Sequence, residues 1–147
     1  MKNLHSLKLT VAILTGAFGL AAAALADDAQ PAAAAAAQLP PASTKTGVTF
    51  ATDIKPIFDA SCVKCHSGEK PKAHLKLDTL EGALKGSKDG KILTPGDSAN
   101  SFVVKCVAHL TDDHDSWMPP PHNKANIGPL AADQIGLIRA WIDQGAK

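Results

Sequence analysis

The sequence predicts one small, mainly α domain, and three observations carry that prediction. Apolar residues recur at helical spacing in Ile54, Ile57 and Phe58, and again in Ile135, Ile138, Trp141 and Ile142, the pattern of helices with one buried face. Almost nothing alternates apolar and polar residues as a half-buried strand does; Leu75-Lys76-Leu77-Asp78 is the brief exception. The run Cys62-Val63-Lys64-Cys65-His66 directly follows the first helical pattern, so its thiols and imidazole sit at a helix end.

Three segments precede or make up this domain. Residues 1–26 read as a secretory signal peptide: Lys2 and Lys8 lead, no acidic residue occurs before Asp27, Leu9 to Leu25 is apolar, and Ala24-Leu25-Ala26 offers a cleavage site before Asp27. The apolar run is short for a spanning helix, which needs about 20 residues, so membrane contact is expected only if the segment is retained as an anchor. Residues 27–45 read as an Ala/Pro-rich flexible linker, with alanines at 32–37 and Pro31, Pro40 and Pro41 around them. Residues 46–147 form the domain, about 100 residues, a size at which an unaided core is marginal.

Within the domain, Thr52 can cap a helix from Asp53, with Pro56 tolerated in its first turn. Asp78 or Thr79 can cap a short helix through Leu84, ended by Gly86. Thr94-Pro95-Gly96-Asp97 reads as a turn. Ser98 or Asn100 starts the next helix, which carries Phe102, Val103, Cys106, Val107 and Leu110. A long loop centred on Pro119-Pro120-Pro121 leads to a last helix over about Ala132–Gln144, closed by Gly145.

The Cys62–His66 run has the spacing of a c-type haem attachment site. Two thiols separated by two residues can each add to one vinyl group of a porphyrin, and the next histidine can ligate the iron. A zinc site would need two further ligands at a second cluster, and Cys106 is the one remaining cysteine. A thioredoxin-like pair would follow a strand, whereas the residues before Cys62 look helical. Export favours haem over both.

An iron held by His66 needs a sixth ligand or a reason to lack one. Met118 is the single methionine after residue 26, and it stands before three prolines in a stiff segment. His114 and His122 are the nearby rivals. His74, His109 and His114 also read simply as surface or hydrogen-bonding histidines. Cys106 reads as a small buried apolar residue, with a Cys106-linked dimer as the alternative to a monomer. Trp141 reads as core, and Trp117 as a residue beside the ligand loop, able to touch the haem or a propionate.

In order along the chain, Ile54-Lys55-Pro56-Ile57-Phe58, Cys62–His66, Leu75-Lys76-Leu77-Asp78-Thr79, Ala83-Leu84-Lys85-Gly86, Pro95-Gly96-Asp97, Ser101, Met118-Pro119-Pro120 and Trp141-Ile142-Asp143-Gln144-Gly145-Ala146 occur. With these elements the chain resembles the planctomycete-type cytochrome c domain family from about Thr49 to Lys147. The resemblance implies a class I-like monohaem cytochrome c fold, with N- and C-terminal helices packed together around one covalently attached haem c. It implies Cys62 and Cys65 as thioether anchors, His66 as proximal ligand and Met118 as distal ligand. It also implies Pro95-Gly96 as the segment whose proline carbonyl accepts the proximal histidine's ring proton. His74 and Ala131 depart from the family pattern: a small residue is usual at the first position and a helix-capping serine at the second.

Charge bounds the partners. Removal of residues 1–26 changes the formal charge from +1 to −1, which argues against nucleic acid. Lys64 to Lys91 carries a net +3 and Ile92 to Pro121 a net −3. Lysines near a haem edge can steer an acidic partner, or form ordinary solvated surface. No catalytic acid/base pair or nucleophile stands out. The expectation is an exported, periplasmic electron carrier and not an enzyme, exchanging single electrons with a redox protein donor and acceptor. A haem-based sensor or peroxidase-like enzyme is the alternative if the sixth position is open.

Overall fold

The computed structural model describes residues 38–147. The expected signal peptide and residues 27–37 of the expected linker lie outside the described residues. Those described are helical, with no named strand; two isolated bridges, Ser87 to Gly90 and Thr94 to Asp97, close tight turns. Four α-helices are α1, Lys55–Ser61; α2, Leu80–Lys85; α3, Phe102–Val107; and α4, Ala132–Asp143. Single 3-10 turns occur at Lys72–His74 and His114–Ser116. No helix among the described residues is long and apolar enough to cross a membrane.

The first helical segment starts earlier than its sequence suggests. A π-helical turn, Phe50–Ile54, runs directly into α1. Its cause is local: Thr49 Oγ1 accepts from Thr52 N at 3.3 Å, and the Asp53 carboxylate accepts from Thr49 N at 2.9 Å. This reciprocal cap ties down two donors that the turn would otherwise leave unpaired. The same carboxylate pairs with Lys45, and these hydrogen bonds hold its pKa down at about 2.

Thr79 caps α2 as expected, accepting from Gly82 N at 3.1 Å, and Gly86 ends the helix at a φ of +89°, a conformation that L side chains rarely adopt. Helix α3 starts after Ser101, beyond the Ser98 and Asn100 expected from the sequence. Ser101 does not cap it. Its hydroxyl instead donates to Asp97 O and accepts from Thr94 N, binding the helix to the preceding turn. Ala131 offers no capping side chain, but Gln134 Oε1 accepts from Ala131 N at 2.9 Å and supplies half of a capping box to α4.

The core lies between α4 and the first helical segment. Trp141, Ile138 and Ile142 are fully buried, with Ile135 close behind. Phe50, Phe58 and Trp141 form an aromatic triad with centroid separations of 5.8 to 6.4 Å. Each such side chain contributes roughly 1.5–3 kcal/mol by leaving water. The Lys147 carbonyl accepts from both Trp141 Nε1 and Phe50 N, at 2.9 Å each, and so joins the two ends of the domain.

Residues 39–45, expected as linker, lie against α4. Ser43 N donates to Gly136 O at 2.8 Å, Arg139 donates to Pro40 O, and Gln144 Nε2 donates to Lys45 O at 2.8 Å. Leu39 packs on the core. Gly136 makes this approach possible, since a Cβ there would come within 2.7 Å of Pro41 O. Arg139 also donates to Ser98 Oγ, while Asp143 accepts from Ser98 N and Oγ. Helix α4 therefore holds the leading strap and the 94–101 turn together.

Candidate functional site

Helix α1 delivers the cysteine motif to one side of the molecule. The helix frays into successive turns: Cys62 N and Val63 N both donate to Phe58 O, then Cys65 N and His66 N both donate to Cys62 O. Residues 62, 65 and 66 thus keep the i, i+3, i+4 relation of a helix face. Two longer ties fix the motif to the chain that follows, Lys72 N to Cys65 O at 3.0 Å and Leu77 N to His66 O at 2.8 Å.

Cys62, Cys65, His66 and Met118 all line one cavity of about 1170 Å³, larger than the ~300–1,000 Å³ of ordinary small-molecule sites. Met118 reaches it from the opposite segment, its backbone N donating to Cys106 O at 3.0 Å. The Met118–Pro119 bond is cis. Phe58, Leu77, Ile92, Val103 and Val107 give the cavity an apolar lining. Phe102 belongs to it as well. This phenylalanine, expected on the apolar face of its helix, is 47% exposed, the one exposed large hydrophobic residue among those described.

His66 is buried, and its Nδ1 has no hydrogen-bond partner among the described residues. Burial lowers its pKa, with the Lys72 and Leu75 main-chain groups working against that shift. The expected partner for its ring proton is elsewhere. Pro95 sits in an exposed turn bound to α4 through Gly96 N to Ile142 O at 2.7 Å, and it does not line the cavity. The carbonyl-bearing segment beside the ring is Lys72–Leu75, because the chain turns back under the motif directly after His66.

Burial pushes the Cys62 thiol up to about 12, helped by neighbouring Cys65. Cys106 is buried, lines the same cavity, and is pushed up to about 11 by burial and then by the Asp113 carboxylate. It packs as the small apolar residue expected.

Of the rival histidines, His122 lines the cavity, whereas His74 and His114 are exposed and His109 is half-buried. Trp117 points to a different use. Its ring stacks on His109 at 4.9 Å and meets His114 at 4.0 Å, and Nε1 donates to Thr111 O. It is not among the cavity residues. Sequence spacing alone gave no signal for this three-ring stack, because the left-handed turn at His109 creates it. No group of three or more His, Cys, Asp or Glu among the described residues is placed to hold a metal ion by itself.

A family model described as Planctomycete cytochrome C matches residues 62–122. Over that segment the chain is similar to the planctomycete cytochrome c family. The matched range opens on Cys62, includes Met118, and thus contains every candidate site residue; a cytochrome c domain implies covalently bound haem. No curated protein and no solved structure matches the chain. The cavity suits such a group on its own terms. It joins an apolar lining to paired thiols, and it contains a buried imidazole with an orphaned Nδ1 and a thioether.

Proposed function

We propose that the protein is an exported, periplasmic electron carrier with a class I-like fold, holding one haem c through Cys62 and Cys65, with His66 and Met118 as axial ligands. The observation that carries this reading is the convergence of those four residues, from two segments more than fifty positions apart, on a single apolar cavity. The apolar run and cleavage pattern of residues 1–26 support export. The donor and acceptor are redox proteins, and the domain itself performs no substrate chemistry.

Each residue has a distinct task. Cys62 and Cys65 would anchor the group as its two thioether attachments. His66 presents a neutral ring, because burial disfavours its charged form. With Nδ1 buried, Nε2 would be the nitrogen that holds the iron. Met118 offers a thioether, a ligand that raises the reduction potential of His-ligated haem. The apolar walls exclude water, which limits reorganisation as charge changes. Bound there, a haem supplies a reversible one-electron couple.

Absorption spectra of the matured protein in both oxidation states test the assignment. A low-spin ferric spectrum with the near-infrared sulfur-to-iron band, abolished in Met118→Ala, is the expected result. A high-spin ferric spectrum and ready carbon monoxide binding by the ferrous form would replace the carrier with a sensor or enzyme.

A further inference from the structure

We propose that the ring stack of His109, Trp117 and His114 is a clasp that positions Met118, and so sets how rarely the sixth iron position opens. The inference rests on Met118 as the distal ligand and adds the residues that hold it there. None of the three rings lines the cavity. They act from behind the ligand.

The geometry follows from one extended residue. Trp117 has a φ of −67° and a ψ of 130°, and consecutive side chains of an extended segment point to opposite sides. Met118 therefore lines the cavity while the indole turns away from it. On that outer side the indole meets two imidazoles, parallel to His109 within 6° at 4.9 Å and inclined by 37° to His114 at 4.0 Å.

The surrounding loop is built to keep this arrangement. His109 N and Met118 N both donate to Cys106 O, at 3.2 and 3.0 Å, so one carbonyl in the last turn of α3 staples both ends of the loop. His109 takes a φ of +56°, which a residue with a side chain keeps only where its surroundings enforce it. Its Nε2 is buried with no hydrogen-bond partner among the described residues, so stacking, not a polar contact, fixes that ring. Trp117 Nε1 donates to Thr111 O at 3.2 Å, and Asp113 closes the turn by accepting from Asp115 N and Ser116 Oγ.

A methionine side chain is flexible and has no firm pose of its own. Its hold on a metal is therefore only as steady as the backbone that carries it. Pro119-Pro120-Pro121 stiffens one flank of Met118, and the clasp secures the other.

Carbon monoxide measures the clasp, because it enters the sixth position of ferrous iron only while Met118 is away. Stopped-flow uptake by the ferrous holoprotein should be about tenfold or more faster in Trp117→Ala than in wild type, and about threefold faster in His114→Ala, which removes one exposed ring. The ferric sulfur-to-iron band should weaken in the same order. Trp117→Phe keeps a stacking ring and should return most of the wild-type rate. Trp141→Ala, which empties the core, should lower the denaturant midpoint and leave the uptake rate unchanged. Unchanged uptake in His114→Ala, whether or not Trp117→Ala loads haem, would overturn the clasp while leaving the carrier intact. Acceleration in Trp141→Ala equal to that in Trp117→Ala would do the same. A wild-type holoprotein without the sulfur-to-iron band would overturn both the clasp and the ligation it rests on.

Discussion

The two sides of this domain are built on different terms. On the α4 side, aromatic rings pack edge-on or tilted, the Lys147 carbonyl closes the ends, and the 39–45 strap and 94–101 turn bond directly to the helix. On the cavity side, short turns carry the side chains, Phe102 is exposed, and His66 Nδ1 lacks a partner among the described residues. One side satisfies its own apolar and polar groups. The other arranges groups whose best partners are not amino acids. A domain of this size can afford one self-sufficient core, and the chemistry sits at the edge of it.

The sharpest way to break that contrast is Cys62→Ser with Cys65→Ser. Covalent haem should be absent by intact mass. Amide exchange should then lose protection across residues 102–127 first and retain it longest in α4 and Phe50–Ser61. Uniform loss of protection would show that the two sides are one cooperative unit. Next in size is Trp141→Ala, which empties the centre of the self-sufficient side. It should cost about 3–5 kcal/mol in denaturant unfolding, with haem ligation unchanged in the spectrum while folded. Gly136→Val drives a side chain toward Pro41 O and should cost about 1–3 kcal/mol. Limited proteolysis should then cut within residues 38–45, leaving the cavity side intact.

The last contrast is a pH dependence on the cavity side. In the haem-free protein, burial raises the Cys62 and Cys106 thiols from 9.0 to about 12 and about 11. The folded state thus favours the protonated thiols, and the unfolded chain loses those protons first. Stability should decline as pH rises from about 9 toward 12. In the holoprotein the Cys62 part should vanish, because a thioether does not titrate. Urea midpoints across that range check both.

How much of this was legible follows the same division. The buried faces of α1 and α4 were readable because apolar spacing reports a helix packed on its own core. The cysteine motif was readable because its covalent chemistry fixes its spacing. The strap was not, since it docks through main-chain carbonyls and a glycine, and its Ala/Pro composition resembles a linker. Pro95 was misplaced as the His66 partner because linear order does not show that residues 72–75 fold back first. Thr49 displaced Thr52 as the cap through a carboxylate one residue further on, a detail of local geometry that several nearby hydroxyls can mimic in sequence. Trp117 and Phe102 exchanged expected surroundings because loop turns, not periodicity, aim them.

The shared Lys147 oxygen also orders events in time. Phe50 and Trp141 cannot both reach it until almost the whole domain has emerged, so closure is a late, long-range step. Phe50 leads directly into α1, so the contact that fixes Phe50 also fixes the helix that carries Cys62. A contact made at residue 147 thereby secures the footing of a motif more than eighty residues earlier.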